Sequence, residues 1–164
     1  MNLATLLQAL YDSSVGTTIR ESGLLFPWIE SFHVLMATTV VGTIAIVDLR
    51  LLGYRAHRRS ARKLILELLP FTWLAFVGAV TTGVLLFSSN SVGYAKNPQF
   101  IAKMAVLLLA GINMALFHLT AYRRIGSWDE SLPPPASARV AGAISLVLWI
   151  SIVVLGRWIG FTVE

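Results

Sequence analysis

The most prominent pattern in the sequence is a series of four long apolar segments separated by short polar stretches. An α-helix needs roughly 20 apolar residues to cross the ~30 Å hydrocarbon core of a bilayer, and each segment approaches or exceeds that length. The segments lie at about 26–53, 68–88, 100–122 and 140–161. The pattern therefore predicts an all-α protein, a polytopic transmembrane antiparallel four-helix bundle, with residues 1–164 forming a single membrane domain.

The residues before the first apolar segment follow a different periodicity. Four leucines recur there at helical spacing: Leu3, Leu6, Leu7 and Leu10. Polar residues occupy the other side, which is typical of an amphipathic helix lying in the membrane interface. The segment lacks the basic start and the long apolar run of a cleavable signal peptide. We therefore expect residues 1–22 to form an interfacial helix on the outer surface.

Composition supports a membrane protein and excludes several other classes. The chain has 164 residues, of which 56% are hydrophobic and 13% are charged, with a mean hydropathy of +0.74. A soluble domain carries about 25% charged residues, so this chain has too little polar surface to be one. Disorder requires low hydrophobicity and high charge. The chain contains no cysteine, which excludes disulfides, thiolate zinc sites, iron–sulfur clusters and c-type haem attachment.

The net charge of +5 comes mainly from basic residues placed between the apolar segments or at their ends. One group comprises Arg50, Arg55, Arg58, Arg59, Arg62 and Lys63, and the other comprises Arg123, Arg124 and Arg139. Lysine and arginine are retained on the cytoplasmic side of membrane proteins. These two connections are therefore predicted to lie inside and both termini outside. The same placement argues against a nucleic-acid partner and favours contact with the lipid bilayer.

Ionisable residues inside the apolar segments carry the candidate chemistry, because they are costly to bury in lipid and are usually functional. Apart from Arg50 at the end of the first span, six positions stand out: Glu30, His33, Asp48, Lys103, His118 and Arg157. At 3.6 residues per turn, the first three share one stripe of the first span, and Lys103 and His118 share one stripe of the third. Such stripes are expected to face the bundle interior and to form a polar seam.

Depth along the helices divides these six residues into two layers. The outer layer comprises Glu30, His33, Lys103 and Arg157, and the inner layer comprises Asp48 and His118. At about 1.5 Å of rise per residue, His33 and His118 differ in depth by about 17 Å along nearly parallel helices. One haem clamped between these two histidines is therefore not expected. Asp48 and His118 are near enough in depth to pair.

The outer layer contains the residue types that a b-type haem requires. A neutral imidazole is a normal axial ligand, which makes His33 the candidate ligand of the haem iron. Lys103 and Arg157 lie where the two propionates would emerge, and arginine binds a carboxylate bidentately. Met36 and Met104 are candidates for a sulfur ligand near the iron. We expect a haem b protein with a redox or electron-transfer role, alone or as a subunit of a larger membrane complex.

Two other classes of function stay open. A cofactor-free scaffold or assembly subunit would use the same residues as paired polar groups, Glu30 with Arg157 and Asp48 with His118. A copper or small-ligand transporter would use His33 with a nearby methionine as a mixed nitrogen and sulfur site, although the chain has only four methionines. His118 with Asp48 is also a candidate for a second cofactor site. The large lipid-facing surface is compatible with a homo-oligomer.

Several stretches resemble an uncharacterised bacterial family of short four-helix membrane proteins. They are IRES (19–22), FPWIESFH (26–33), VDLRLLG (47–53), LLPFTW (68–73), NMALFH (113–118) and SLVLWISIVVLGRW (145–158). More distantly, the layout is similar to HemJ-type protoporphyrinogen oxidases and to CopD-like copper-resistance membrane domains. The shared elements are His33, Gly42, Arg50 and Lys103. The first span ends in Asp48-Leu49-Arg50 where the HemJ type has Leu-Pro-Arg.

The resemblance to the HemJ type implies roles for two residues. In that family the histidine is implicated in haem binding and the lysine is important for activity. Carried over to this chain, His33 is the haem ligand and Lys103 contacts a substrate or a propionate. The resemblance also implies an oxidoreductase-type activity and a location in the bacterial cytoplasmic (inner) membrane.

Overall fold

The computed structural model describes residues 2–54, 60–129 and 134–163. This part of the chain is 88% helical and contains no strand, which confirms the predicted all-α four-helix class. Its elements, in chain order, are α1 (Leu3–Tyr11), α2 (Ser14–Glu21), α3 (Leu25–Leu51), α4 (Ala61–Ser89), α5 (Ser91–Lys96), α6 (Pro98–Leu119), a 3-10 turn (Tyr122–Ser127) and α7 (Ala136–Thr162).

Four of these helices, α3, α4, α6 and α7, are long and apolar enough to cross a bilayer. The chain is therefore a multi-pass membrane protein, and the predicted spans correspond to these helices one for one. α4 begins at Ala61 and not near residue 68, because the Ser60 side chain caps the helix by accepting a hydrogen bond from the Lys63 backbone N–H at 3.2 Å. α7 begins at Ala136, directly after Pro135.

The long helices pack in the order α4, α3, α7, α6. α3 packs against α4, α6 packs against α7, and the two pairs meet where α3 contacts α7. Within the described ranges, α4 and α6 make no extensive contact along their length. They approach each other at the chain-terminal end of the bundle, where Phe87 and Phe100 stack with ring centroids 5.3 Å apart. The α3–α7 interface is therefore the centre of the bundle.

The opposite end of the bundle, here called the basic end, is where α3 and α6 finish and α4 and α7 begin. A buried apolar cluster lies there: Leu51, Ala61, Ile65, Phe117, Ala121, Ile125, Trp128 and Ala138. Arg50 donates a hydrogen bond to the Asp129 carbonyl oxygen at 2.8 Å. The Asp129 carboxylate accepts from Ser60 Oγ and from the Arg62 backbone N–H. Asp129 thereby ties the connection after α6 to the start of α4.

The structure divides the predicted 1–22 helix into two helices. Ser13 lies between them, and its hydroxyl caps α2 by accepting a hydrogen bond from the Gly16 N–H at 3.1 Å. Arg20 of α2 donates to the Ser89 carbonyl oxygen at the end of α4, at 2.9 Å. Leu3 of α1 is 72% exposed, so α1 keeps an apolar side free for lipid. The N-terminal segment therefore combines an exposed apolar helix with a helix docked on the bundle.

Candidate functional site

His33 lies half-buried on α3, about two turns from the start of the helix, and faces α4. Its Nδ1 atom is 2.9 Å from the Ala79 carbonyl oxygen and 3.0 Å from Thr82 Oγ1. A carbonyl oxygen can only accept, so Nδ1 carries the proton and donates. The Thr82 hydroxyl donates its own proton to the Gly78 carbonyl oxygen at 2.7 Å, which leaves its oxygen free to accept. The neutral ring then has its lone pair on Nε2.

The Nε2 atom of His33 has no hydrogen-bond partner in the part of the chain that the structure describes. Histidines that bind metals almost always donate their other N–H to a carbonyl, a carboxylate or water, which fixes the tautomer and the ring orientation. α4 supplies that acceptor here. Sequence reasoning identified His33 but missed Ala79 and Thr82, because a backbone carbonyl acceptor leaves no signature in residue identity.

Glycines on α4 make room for the side chains of α3. A Cβ atom at Gly83 would lie 3.2 Å from His33 Cε1, and one at Gly78 would lie 3.0 Å from the Met36 sulfur. The sequence pattern of small residues thus marks places where side chains of one helix enter the surface of another. Gly42 of α3 differs, since a Cβ atom there would meet nothing within 4 Å.

Lys103 reaches the same layer of the bundle from α6. It is half-buried, and a Cβ atom at Gly156 of α7 would lie 3.4 Å from its Nζ. The Lys103 ammonium lies within electrostatic range of the His33 ring. The structure therefore brings these two predicted site residues together. α3, α4, α6 and α7 each contribute one part of the site: His33, Thr82, Lys103 and Gly156.

Glu30 and Arg157, the other two residues of the predicted outer layer, are both exposed. The Arg157 guanidinium lies over the Phe161 ring, 4.5 Å from its centroid. Glu30 lies within electrostatic range of Tyr94 on α5, where burial first and the Glu30 charge second raise the pKa of the tyrosine. Among the described residues Glu30 and Arg157 form no ion pair, and the interactions they make are with Tyr94 and Phe161 respectively.

The structure does not pair Asp48 with His118. Asp48 is only 4% exposed, forms a hydrogen bond with Ser145 of α7, and its Oδ2 has no partner among the described residues. The Nδ1 atom of His118 is 2.9 Å from the Met114 carbonyl oxygen of its own helix, and its ring packs 5.0 Å from that of Tyr122. The physical reason is the packing order: α3 packs on α7, which separates Asp48 from α6.

The described residues include no group of three or more His, Cys, Asp or Glu side chains able to hold a metal ion. Met104 is 49% exposed on α6 and does not converge with His33, whereas Met36 packs into the α3–α4 contact. Two cavities, of about 710 and 160 Å³, lie at the basic end and beside the start of α3, and neither is lined by His33 or Lys103. The site is therefore built around one imidazole and one ammonium.

Comparison with known proteins gives one match. No curated protein and no solved structure matches the chain, so no named relative supports the resemblance to HemJ-type oxidases or to CopD-like domains. A family model described as a family of unknown function matches residues 11–162, which include α2 to α7 and every residue of the site. The chain therefore belongs to this family of unknown function, DUF6644.

Proposed function

We propose that the protein binds a b-type haem in the membrane, with His33 as an axial ligand, and takes part in electron transfer. The observation that carries the proposal is the hydrogen-bonding state of His33. Its Nδ1–H is held by the Ala79 carbonyl oxygen and Thr82 Oγ1, so the lone pair of Nε2 remains for a metal. This is the arrangement that orients histidine ligands in metalloproteins.

Lys103 supports the same proposal. A haem carries two propionates, and a cation at the level of the axial ligand offsets their charge inside a low-dielectric bundle. Lys103 lies in electrostatic range of His33, and Arg157 follows Gly156, the residue that Lys103 approaches. Arg157 is exposed, so its guanidinium is available to the second propionate. When bound, the haem would supply one-electron redox chemistry, and these residues would bind and orient it.

The oxidoreductase-type activity implied by the resemblance to the HemJ type belongs to the same proposal. His33 and Lys103 match the histidine and the lysine of that pattern, and they lie in one layer of the bundle. We place the protein in the bacterial cytoplasmic membrane, with both termini outside, because the basic end then faces the cytoplasm. It acts alone, as a homo-oligomer, or as a subunit of a larger membrane complex.

The decisive experiment is an absorption spectrum of detergent-purified, haem-loaded protein before and after reduction with dithionite. We expect a Soret band and reduced haem bands for the wild type, and their loss in His33→Ala. His118→Ala is the matched control, because His118 bonds within its own helix at the other end of the bundle. Absence of a Soret band, or a His33→Ala variant that keeps it, would refute the proposal. Loss of the band in His118→Ala alone would move the ligand to the basic end.

A cofactor-free scaffold is the second candidate, and one observation favours it. Polar groups join neighbouring helices: Thr72 Oγ1 donates to Thr43 Oγ1 at 2.8 Å, and Asn113 Nδ2 donates to the Ala141 carbonyl oxygen at 3.0 Å. The hydrogen bond of His33 to α4 serves equally well as such an interhelical link. Purification from native membranes separates the two candidates. A scaffold is expected to retain stoichiometric partners and no chromophore.

A further inference from the structure

A cavity of about 710 Å³ lies at the basic end, between the 3-10 turn that follows α6 and the start of α7. The residues that carry the argument are Leu119, Arg123, Arg124, Trp128, Pro135 and Ser137, all of which line it. This cavity is separate from the site around His33, which lies toward the other end of the bundle. None of the six residues of the predicted polar seam lines it.

Two consecutive arginines give this cavity its charge. Arg123 and Arg124 belong to the 3-10 turn that follows α6, and Arg124 has non-helical backbone angles (φ −106°, ψ 18°). Consecutive side chains of a regular helix diverge by about 100°, but here both arginines line one cavity. Both are exposed, and neither has a side-chain partner among the described residues. Two adjacent guanidinium groups that meet no acceptor in the described ranges favour an anionic ligand.

The start of α7 forms part of the wall of the same cavity. Pro135 precedes the helix, and α7 has no side-chain cap. The backbone N–H groups of Ala138 and Arg139 bond to the Pro135 carbonyl oxygen, whereas the first two helical N–H groups have no intrahelical acceptor. The positive end of the helix dipole lies at this point. Pro135 and Ser137 line the cavity, so the positive end of α7 borders the arginines.

The walls of the cavity distinguish a lipid from a free anion. Leu119 is the last residue of a membrane-crossing helix and is 63% exposed. Trp128 is a buried aromatic residue beside the arginines, and tryptophan is enriched where acyl chains meet headgroups. We propose that this cavity binds the headgroup phosphate of an anionic phospholipid, with Arg123 and Arg124 as the phosphate ligands. The apolar wall at Leu119 receives the start of an acyl chain.

Native mass spectrometry of the full-length protein tests the proposal. Detergent-purified protein is titrated with phosphatidylglycerol or with phosphatidylcholine, and bound lipid is counted. We expect one phosphatidylglycerol to be retained in preference to phosphatidylcholine. Arg123→Gln/Arg124→Gln should weaken that binding roughly 30-fold, from the energy typical of two basic residues at an anionic membrane surface. Arg139→Gln is the matched control, because Arg139 is exposed at the same end but does not line the cavity.

Three results would overturn the proposal. Equal binding of the two lipids would remove the role of headgroup charge. An equal loss in Arg139→Gln would show attraction to the whole basic end and no defined site. Displacement of phosphatidylglycerol by an equal concentration of inorganic phosphate would identify a free anion as the ligand. Circular dichroism checks the fold, and if the double variant does not fold, the single variants are each expected to weaken binding roughly fivefold.

Discussion

Replacing Gly16 by alanine tests whether α2 is docked on the bundle. A Cβ atom at this position would lie 2.5 Å from the Ser88 carbonyl oxygen, 3.0 Å from that of Leu10 and 3.1 Å from that of Tyr11. Carbon and oxygen atoms usually approach no closer than about 3.3 Å, so the shortfall at Ser88 is close to 1 Å. All three neighbours are backbone atoms, and no rotation of a side chain can remove the clash.

The sign of the effect distinguishes a docked α2 from a free one. In an isolated helix, replacement of glycine by alanine stabilises by about 1 kcal/mol. In a tightly packed contact, an added methyl group costs about 1–3 kcal/mol. Because the clash at Gly16 involves backbone atoms, we take the upper value and expect a net loss of about 2 kcal/mol in the docking of α2. The docked fraction would then fall roughly 30-fold relative to the undocked one.

Limited proteolysis of detergent-purified protein measures this loss, because undocking of α2 exposes the backbone around Ser13 and Ser22. We expect Gly16→Ala to be cleaved there faster than the wild type, with the four long helices still intact. Gly23→Ala is the control, since a Cβ atom at Gly23 would meet nothing within 4 Å. Equal cleavage rates for Gly16→Ala and Gly23→Ala would refute the docked arrangement.

Three further predictions concern the site and the basic end. Gly83→Ala places a Cβ atom 3.2 Å from His33 Cε1. We expect the ring to shift and the Soret band of haem-loaded protein to weaken. Relative to Gly111→Ala, which has the same gain in helix propensity, we expect the melting temperature to be lower by the equivalent of about 1 kcal/mol. Spectrophotometric titration should show Tyr94 ionising with a pKa above its ordinary value, and Glu30→Gln should lower that pKa only in part, because burial is the larger cause. Since the folded pKa is the higher one, the stability contributed by neutral Tyr94 is complete below the unfolded pKa and is lost as pH rises through the folded pKa. Asp129→Ala removes the acceptor for Ser60 Oγ and the Arg62 N–H and should destabilise the start of α4 by about 1 kcal/mol in thermal unfolding.

Each of these predictions has a matched control. Gly111→Ala should leave the spectrum unchanged and should not lower the melting temperature, because a Cβ atom there would meet nothing within 4 Å and alanine favours the helix. Tyr94→Phe should abolish the high-pKa ionisation, and its persistence would assign that ionisation to another tyrosine. Asp12 has an exposed carboxylate that accepts a hydrogen bond only from Gln8 among the described residues. Asp12→Ala should therefore change the stability by less than about 0.5 kcal/mol.

The layer containing His33 and Lys103 was predictable, because depth follows from the number of residues along a helix. A constant rise of about 1.5 Å per residue places both near the same end of the bundle. The acceptors on α4 were not predictable, since a register between two helices depends on how their side chains interlock. Ala79 contributes only its carbonyl oxygen to His33, and any residue type would supply that atom.

The expected pair of Asp48 and His118 shows the limit of the same reasoning. Both residues lie toward the basic end, as depth alone predicts. Depth does not say which helices are neighbours, and the packing order α4, α3, α7, α6 sets Asp48 against Ser145 of α7. In the same way, the sequence indicated that residues 1–22 are amphipathic. It did not indicate that Arg20 donates a hydrogen bond to the Ser89 carbonyl oxygen at the end of α4.

The sequence by itself determined that this protein lies in a lipid bilayer and that its fold is all-α. Whether a segment crosses the membrane depends on the free energy of transferring that segment from water to lipid, and each segment contributes this free energy separately. The four spans and the two basic connections can therefore be predicted without a structure. Only the tertiary structure decided which helices touch, that the Nδ1–H of His33 is already used, and that Arg123 and Arg124 share a cavity with the start of α7. Those features arise from interlocking side chains and backbone atoms of distant segments, and no local pattern encodes them.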